Sequence, residues 1–365
     1  MDNIPEAEGP ISSTVRRWRR LATRHNVEWS ELVLIALNLY GLRGTNPESL
    51  RLRLLAEDDE YLTVVQANKT TSPFSLRAHV SPTSPQHGLR ELCVDGTTVA
   101  EIIDVEPSET VRGYLRANGT AANLNPPQSN DYDQIVQHYR QTLRLLAHEA
   151  PESDGPEYIK EVAFNAHDDA HGDMDSAEVV LHLTALREAM TSEDVPNSAT
   201  ISVLTTAFDS DSDFQGIRQK LGPLLLLVDV DNRMTSYHSE IDVETALPEA
   251  ETLAKTLKAA SDANIETSFT LTVGHQSLNV IKDWILPLAE QTTVWPSLTI
   301  HPAETASDES QHVAAPDERL DFFLEARKLF EQIFAPTGLK PEPWRCYRGL
   351  WYRQFAGEPL EGPYV

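Results

Sequence analysis

Sulfur and positive charge are both scarce in this chain. Its 365 residues include two cysteines, Cys93 and Cys346. That excludes a disulfide framework and a cysteine-rich metal site, and it fits a reducing cytoplasm. Thirty Lys and Arg stand against 56 Asp and Glu, a net charge of −26. A surface that acidic repels phosphate backbones and anionic lipids, which argues against nucleic acid and membranes as partners. Long apolar runs are missing too. The longest, 223–228, falls far short of the about 20 residues needed to span a bilayer. The first ten residues, MDNIPEAEGP, are acidic and contain no apolar stretch, so no signal peptide is expected. There is no G-x-S-x-G elbow, Walker loop or H-E-x-x-H, so three common catalytic signatures drop out.

What is present is a long alternation of strand-like and helix-like segments. Apolar residues make up 40% of the chain, enough for a large domain plus an appendage. After a polar tail, helices are predicted over 13–25 and 29–41. The first carries Arg16, Arg17, Arg19, Arg20 and Arg24, which read as a solvated face or one docked on the acidic body, with a partner or nucleic acid as the alternative. Short β-prone runs follow at 61–66, 74–80, 91–94 and 98–105, with Asp95-Gly96 as a turn. They predict a small antiparallel sheet within an appendage covering 1–108.

Six strand–helix units fill 109–335. The strands are expected at 111–117, 159–165, 200–208, 224–230, 266–273 and 297–301. The helices are expected at 131–148, 176–190, 212–220, 247–260, 276–289 and 317–334, with apolar residues in phase at 3.6 per turn. Apolar strands alternating with amphipathic helices imply a parallel sheet covered by helices. The fold class is therefore α/β, a partial (β/α)6 TIM-like barrel. A C-terminal extension, 336–365, is expected to close it. Its arginine–aromatic stretch over 345–353 can pair with carboxylates, or stack on bases.

The segment Asn118-Gly-Thr-Ala-Ala122-Asn123-Leu124-Asn-Pro126-Pro-Gln-Ser129 resembles the cluster loop of radical-SAM enzymes, which place a C-x3-C-x2-C motif after strand one. Aligning Asn123-Leu124 with the N-L of that loop puts Ala122, Pro126 and Ser129 at the cysteine positions. The resemblance implies a partial barrel over 110–335. A 4Fe–4S cluster is not expected, because it needs thiolate ligands. The family's Gly-Glu-Pro-like turn after strand two, which binds SAM, reads here as Asn165-Ala-His167-Asp168-Asp169. That argues against a SAM site of the family's type.

In parallel α/β folds ligands bind beyond the carboxyl ends of the strands. Candidate catalytic groups there are His167, Asp229, Asp231, His275 and His301. Asp229 and Asp231 are two apart, which on a strand places them on one face, as an acid and base pair or as a hold for an amine. Candidate ligand contacts are Asn118, Asn123, Asn165, Asp168, Thr205, Tyr237 and Glu304. Thr205 also suits a backbone-capping role. His167, His171 and Asp173 have the donor types for a divalent metal such as Zn, Mn or Fe(II). The competing use for such groups is helix capping, natural for Asp173 or Asp175 ahead of a helix starting near 176. Three functions remain open from the residues. One is a cluster-free radical-SAM-like protein binding a small polar ligand (SAM or a substrate) or a protein partner at the barrel mouth. The second is a metal-dependent hydrolase or lyase. The third is a structural partner of an active radical enzyme.

Overall fold

The computed structural model describes residues 11–44, 49–55, 60–64, 72–79, 89–104, 122–124, 126–127, 129, 131–148, 159, 161–168, 172–230, 243–273, 277–300 and 316–340. The chain divides into two compact units. The first comprises 1–114, 300–327 and 348–365, the second 115–299 and 328–347.

In the first unit, helix α1 (Ser13–His25) begins where the Ser12 hydroxyl accepts from the Val15 N–H, and stops at Asn26 in the left-handed region (φ 55°). Helix α2 (Trp29–Tyr40) is buried almost all round. A five-stranded antiparallel sheet has the order β2-β1-β5-β4-β3, from β1 (Ser49–Leu54), β2 (Glu60–Val64), β3 (Phe74–His79), β4 (Leu89–Val94) and β5 (Thr97–Asp104). Strand β1 has no counterpart in the sequence expectation. Its Leu50, Leu52 and Leu54 are buried while Arg51 and Arg53 are not, an alternation that fixes which face turns inward. The Asp95-Gly96 turn joins β4 to β5 with both residues at positive φ (44° and 82°), the geometry a two-residue hairpin favours. Trp18, fully buried, packs against Tyr40 and Phe74.

All five α1 arginines named above are exposed. Arg24 pairs with Asp321 and Glu325 at 2.9 and 2.8 Å, and Arg19 lies over the Trp29 ring. Asp321 and Glu325 belong to helix α8 (Pro316–Phe334), whose residues through Arg327 are part of this unit. Arg327 and Glu31 form an ion pair at 2.7 Å, both nearly inaccessible to solvent.

The second unit is built on a parallel sheet with the order β13-β12-β11-β10-β7-β6. Its strands are β6 (Ala122–Leu124), β7 (Glu161–Asn165), β10 (Thr200–Leu204), β11 (Leu224–Asp229), β12 (Glu266–Val273) and β13 (Ser297–Ile300). Between them run helices α3 (Tyr132–His148), α4 (Ser176–Ser192), α5 (Phe214–Leu221), α6 (Val243–Asp262) and α7 (Leu278–Ala289). A two-rung antiparallel pair, β8 (His167–Asp168) and β9 (Gly172–Asp173), sits between β7 and α4. The fold is thus mixed α/β with a parallel sheet. The first expected parallel strand, 111–117, lies outside the described residues. The strand that pairs with β7 is Ala122–Leu124, inside the stretch read as a loop.

Strand order follows chain order. Right-handed crossovers between sequentially adjacent parallel strands carry all the helices to the same side. Tyr139 of α3 and His182 of α4 both contact the Phe164 ring, so these two helices share one side. Ile135, Tyr139 and Leu143 of α3, with Val179, Leu183 and Leu186 of α4, are buried. Helix α4 starts at a reciprocal capping box between Asp175 and Glu178, which stabilises a helix start by about 1 kcal/mol. At the amino ends of the strands, the Arg187 guanidinium donates to the carbonyls of Ala199 and Pro223 at 3.0 and 2.9 Å. It thereby links α4 to the residues that lead into β10 and β11.

Candidate functional site

The register of the parallel sheet assigns each strand residue to one of two faces. On the first face Phe164 aligns with Val203, Val203 with Leu226, and Val228 with Phe269. All are buried, with Val162, Ile201 and Leu271 beside them. This is the helix side. The Phe164 ring stacks on His182 of α4 and meets Tyr139 of α3 edge-on. Phe269 packs against Phe330 and Phe334 of α8. Within this layer the Tyr139 hydroxyl and His182 Nδ1 are 2.8 Å apart. Burial holds the imidazole below its ordinary pKa and the phenol well above its own, so a neutral phenol and a neutral ring share this bond, the tautomer setting which donates.

The opposite face is small and polar. Ser202 aligns with Ala163 and Leu225, Leu204 with Asn165 and Leu227, and Asp229 with Thr270. Leu204, Leu227, Asp229 and Thr270 are half-buried and Asn165 is exposed. One step deeper, Ser202 is 1% exposed and its hydroxyl has no hydrogen-bond partner. Ser268 is equally buried, but its hydroxyl donates to the Val294 carbonyl at 2.9 Å. On this face accessibility rises from Ser202 and Leu225 toward Leu204, Leu227 and Asp229 at the carboxyl ends of β10 and β11, with Asn165 at the end of β7.

Of the residues singled out from sequence, Asn165 and Asp229 share this face. Strand β11 ends at Asp229, and Asp231 lies outside the described residues. Thr205 is buried, and its hydroxyl accepts from the Ala207 N–H at 3.1 Å. Asn123 occupies the β6 position aligned with Ala163. His167 and Asp173 stand opposite each other on the β8–β9 rung, and Asp168 is opposite Gly172. Asn118, His171, Tyr237, His275, His301 and Glu304 lie outside the described residues. Among the described residues no three His, Cys, Asp or Glu are grouped to hold a metal ion. Ser202, Leu204, Leu227 and Thr270 did not stand out in the sequence. Alternation counted back from Asp229 and Asn165 is the signal that finds them.

A 4Fe–4S cluster does not fit the positions the resemblance aligns. Ala122 is a strand residue paired with Val162. The Ser129 hydroxyl is committed to the start of α3, accepting from the Asp131 N–H and donating to Gln134 Oε1. Cys93 is buried in the antiparallel sheet. Two cysteines in the whole chain cannot supply three thiolates.

No protein-family model matches this chain, and no curated protein matches it. Among solved structures, coproporphyrinogen III oxidase (HemN) from Escherichia coli, a radical SAM enzyme, is similar at 13% identity with a TM-score of 0.39. The match covers 61% of this chain and 56% of that one, so the chain spans little more than half the enzyme's length. Phospho-2-dehydro-3-deoxyheptonate aldolase from Thermotoga maritima is similar over 92% of this chain and 97% of its own, at 10% identity and a TM-score of 0.20. Neither likeness is close enough to carry an argument about fold or function.

Proposed function

We propose that this chain is a cluster-free, radical-SAM-like partial barrel. It binds a small polar molecule at the carboxyl end of its uncovered sheet face, without radical chemistry. One observation supports this reading. Strand order follows chain order, α3, α4 and α8 pack on one side through Phe164 and Phe269, and the other side presents Asn165, Leu204, Leu227, Asp229 and Thr270. A singly wound twisted sheet curls toward its uncovered side, and ligands enter such folds at the carboxyl ends. Apolar wall with a few polar groups is the usual lining of a small-molecule site.

Elemental analysis and a ligand thermal-shift series on the purified full chain test it. After anaerobic incubation with iron and sulfide, the expected protein has no acid-labile sulfide and no band near ~400 nm, because too few thiolates are present. Small polar molecules, SAM included in the series, raise Tm by binding the native state, and L227W, which fills the face, removes the shift. A reconstituted cluster, or shifts untouched by L227W, defeats the proposal. A second reading, metal-assisted hydrolysis or elimination, draws on the opposition of His167 and Asp173 across one rung. Stoichiometric Zn or Mn without sulfide supports it instead.

A further inference from the structure

Helix α1 concentrates the positive charge that the chain as a whole lacks. Its 13 residues hold five of the 30 Lys and Arg and no Asp or Glu, in a chain of net charge −26. An α-helix turns about 100° per residue. By that count Arg16, Arg17, Arg20 and Arg24 fall within about 100° of arc, on the side away from the buried Thr14, Val15, Trp18 and Ala22. All four are exposed. Arg16, Arg20 and Arg24 stand four apart, so their side chains leave the helix in one row over about 12 Å of its axis. Arg19 is outside the row, its guanidinium 5.4 Å from the centroid of the Trp29 ring.

Two observations bear on how the row is used. Like charges four apart on a helix repel, and Arg16 stands in the first turn, where the helix dipole disfavours a cation. The row works against the helix that carries it, so folding alone gives no reason for it. One member also shows a mode of engagement. Arg24 donates to Asp321 Oδ2 and Glu325 Oε1 at 2.9 and 2.8 Å. Those two carboxylates are four apart on α8, within the same unit. An α1 arginine is thus gripped by acids one turn apart on a neighbouring helix. The guanidiniums of Arg16 and Arg20 have no such partner among the described residues.

We propose that this row is a docking surface for a helix of another protein that presents Asp or Glu four apart. Its carboxylates meet Arg16 and Arg20 as Asp321 and Glu325 meet Arg24, and the forked guanidinium hydrogen bonds set its register. The net charge of −26 selects among polyanions. Nucleic acid is charged along its whole length and is repelled by the body of the chain. Acid confined to one helix face brings its charge only where the row meets it. A second copy of this chain is opposed by its own like charge. Exposed ion pairs are individually weak and screened by salt, so the contact is salt-sensitive. The surface belongs to the first unit and does not depend on the uncovered sheet face.

Fluorescence anisotropy of labelled probes with the full chain tests the proposal at 0.05 M and 0.15 M KCl. One probe is an alanine-rich helical peptide with three Glu spaced four apart, and a second has the same composition with the Glu scattered around the helix. A DNA duplex and vesicles of phosphatidylserine and phosphatidylcholine complete the set. The spaced peptide should bind one per chain, at least threefold tighter than the scattered one. The double variant R16Q/R20Q should weaken it fivefold or more while leaving the unfolding midpoint unchanged or higher. R16E/R20E should prefer a peptide with Lys in place of the spaced Glu, a reversal that loss of fold cannot produce. No binding of the spaced peptide at 0.05 M KCl, equal binding of the two Glu peptides, or binding that R16Q/R20Q leaves unchanged overturns the proposal. Duplex or vesicle binding tighter than the spaced peptide and lost in R16Q/R20Q overturns it in favour of a phosphate surface. Dimers in sedimentation that R16Q/R20Q abolishes overturn it in favour of a second copy.

Discussion

The same strands build both faces of the parallel sheet, and the two faces do opposite work. One is a layer of Phe164, Val203, Leu226 and Phe269 sealed under aromatic and aliphatic helix residues. The other alternates serine, threonine and asparagine with three leucines and ends in Asp229. In a doubly wound sheet both faces would be apolar, since helices cover each. The contrast shows where stability and function part company. Packing energy is concentrated on the helix side, which leaves the uncovered side free to carry groups that add little to stability.

The sharpest way to break this comparison is to truncate one large side chain on each face. F269A should cost about 3–5 kcal/mol by removing a buried ring from between Phe330 and Phe334, whereas L227A should cost no more than about 1 kcal/mol. Urea unfolding of the two variants measures both, and equal losses would mean the faces are not different in kind.

Acidification probes the helix side alone. The ordinary imidazole titrates near 6.5, and burial keeps His182 below that in the folded chain. Between the two values the unfolded chain binds a proton that the folded chain does not. Stability therefore falls as pH drops below about 6.5, by at most about 1.4 kcal/mol per pH unit for one group. H182Q should flatten that part of the stability profile relative to the parent chain. A parallel profile would show that folding leaves the titration of the ring unshifted.

The smallest effects separate the two serines. S268A should lose about 1 kcal/mol with its bond to Val294. S202A removes a hydroxyl with nothing to bond, so its stability should hold or rise by up to about 1 kcal/mol. A clear loss from S202A in denaturant titration would reveal a partner for that oxygen.

Much of the element order was legible in the sequence, but the sidedness of the site was not. Helix α1 is readable over its full span because Val15, Trp18 and Ala22 keep one phase and Asn26 stops it. The strand Ser49–Leu54 escapes a search for β-prone residues, since leucine and arginine are helix formers. Only its strict alternation marks it. The start of the parallel sheet is displaced because Ala-Asn-Leu is too short and too ordinary to read as a strand. The Leu-Leu-Leu-Leu-Val-Asp run of β11 hides which leucine lies on which face of the sheet. That choice is made by pairing with β10 and β12, partners distant in the chain.

The Arg187 fork has a dynamic consequence. It clasps the peptide carbonyls just ahead of two neighbouring strands, at the end away from the uncovered opening. At the opposite end β10 and β11 finish at Leu204 and Asp229, both half-buried. Amide protons along each of these strands should therefore exchange with deuterium slowly near the clasp and faster toward the tip. The sheet would behave as a fan held at its handle, breathing most at its carboxyl tips.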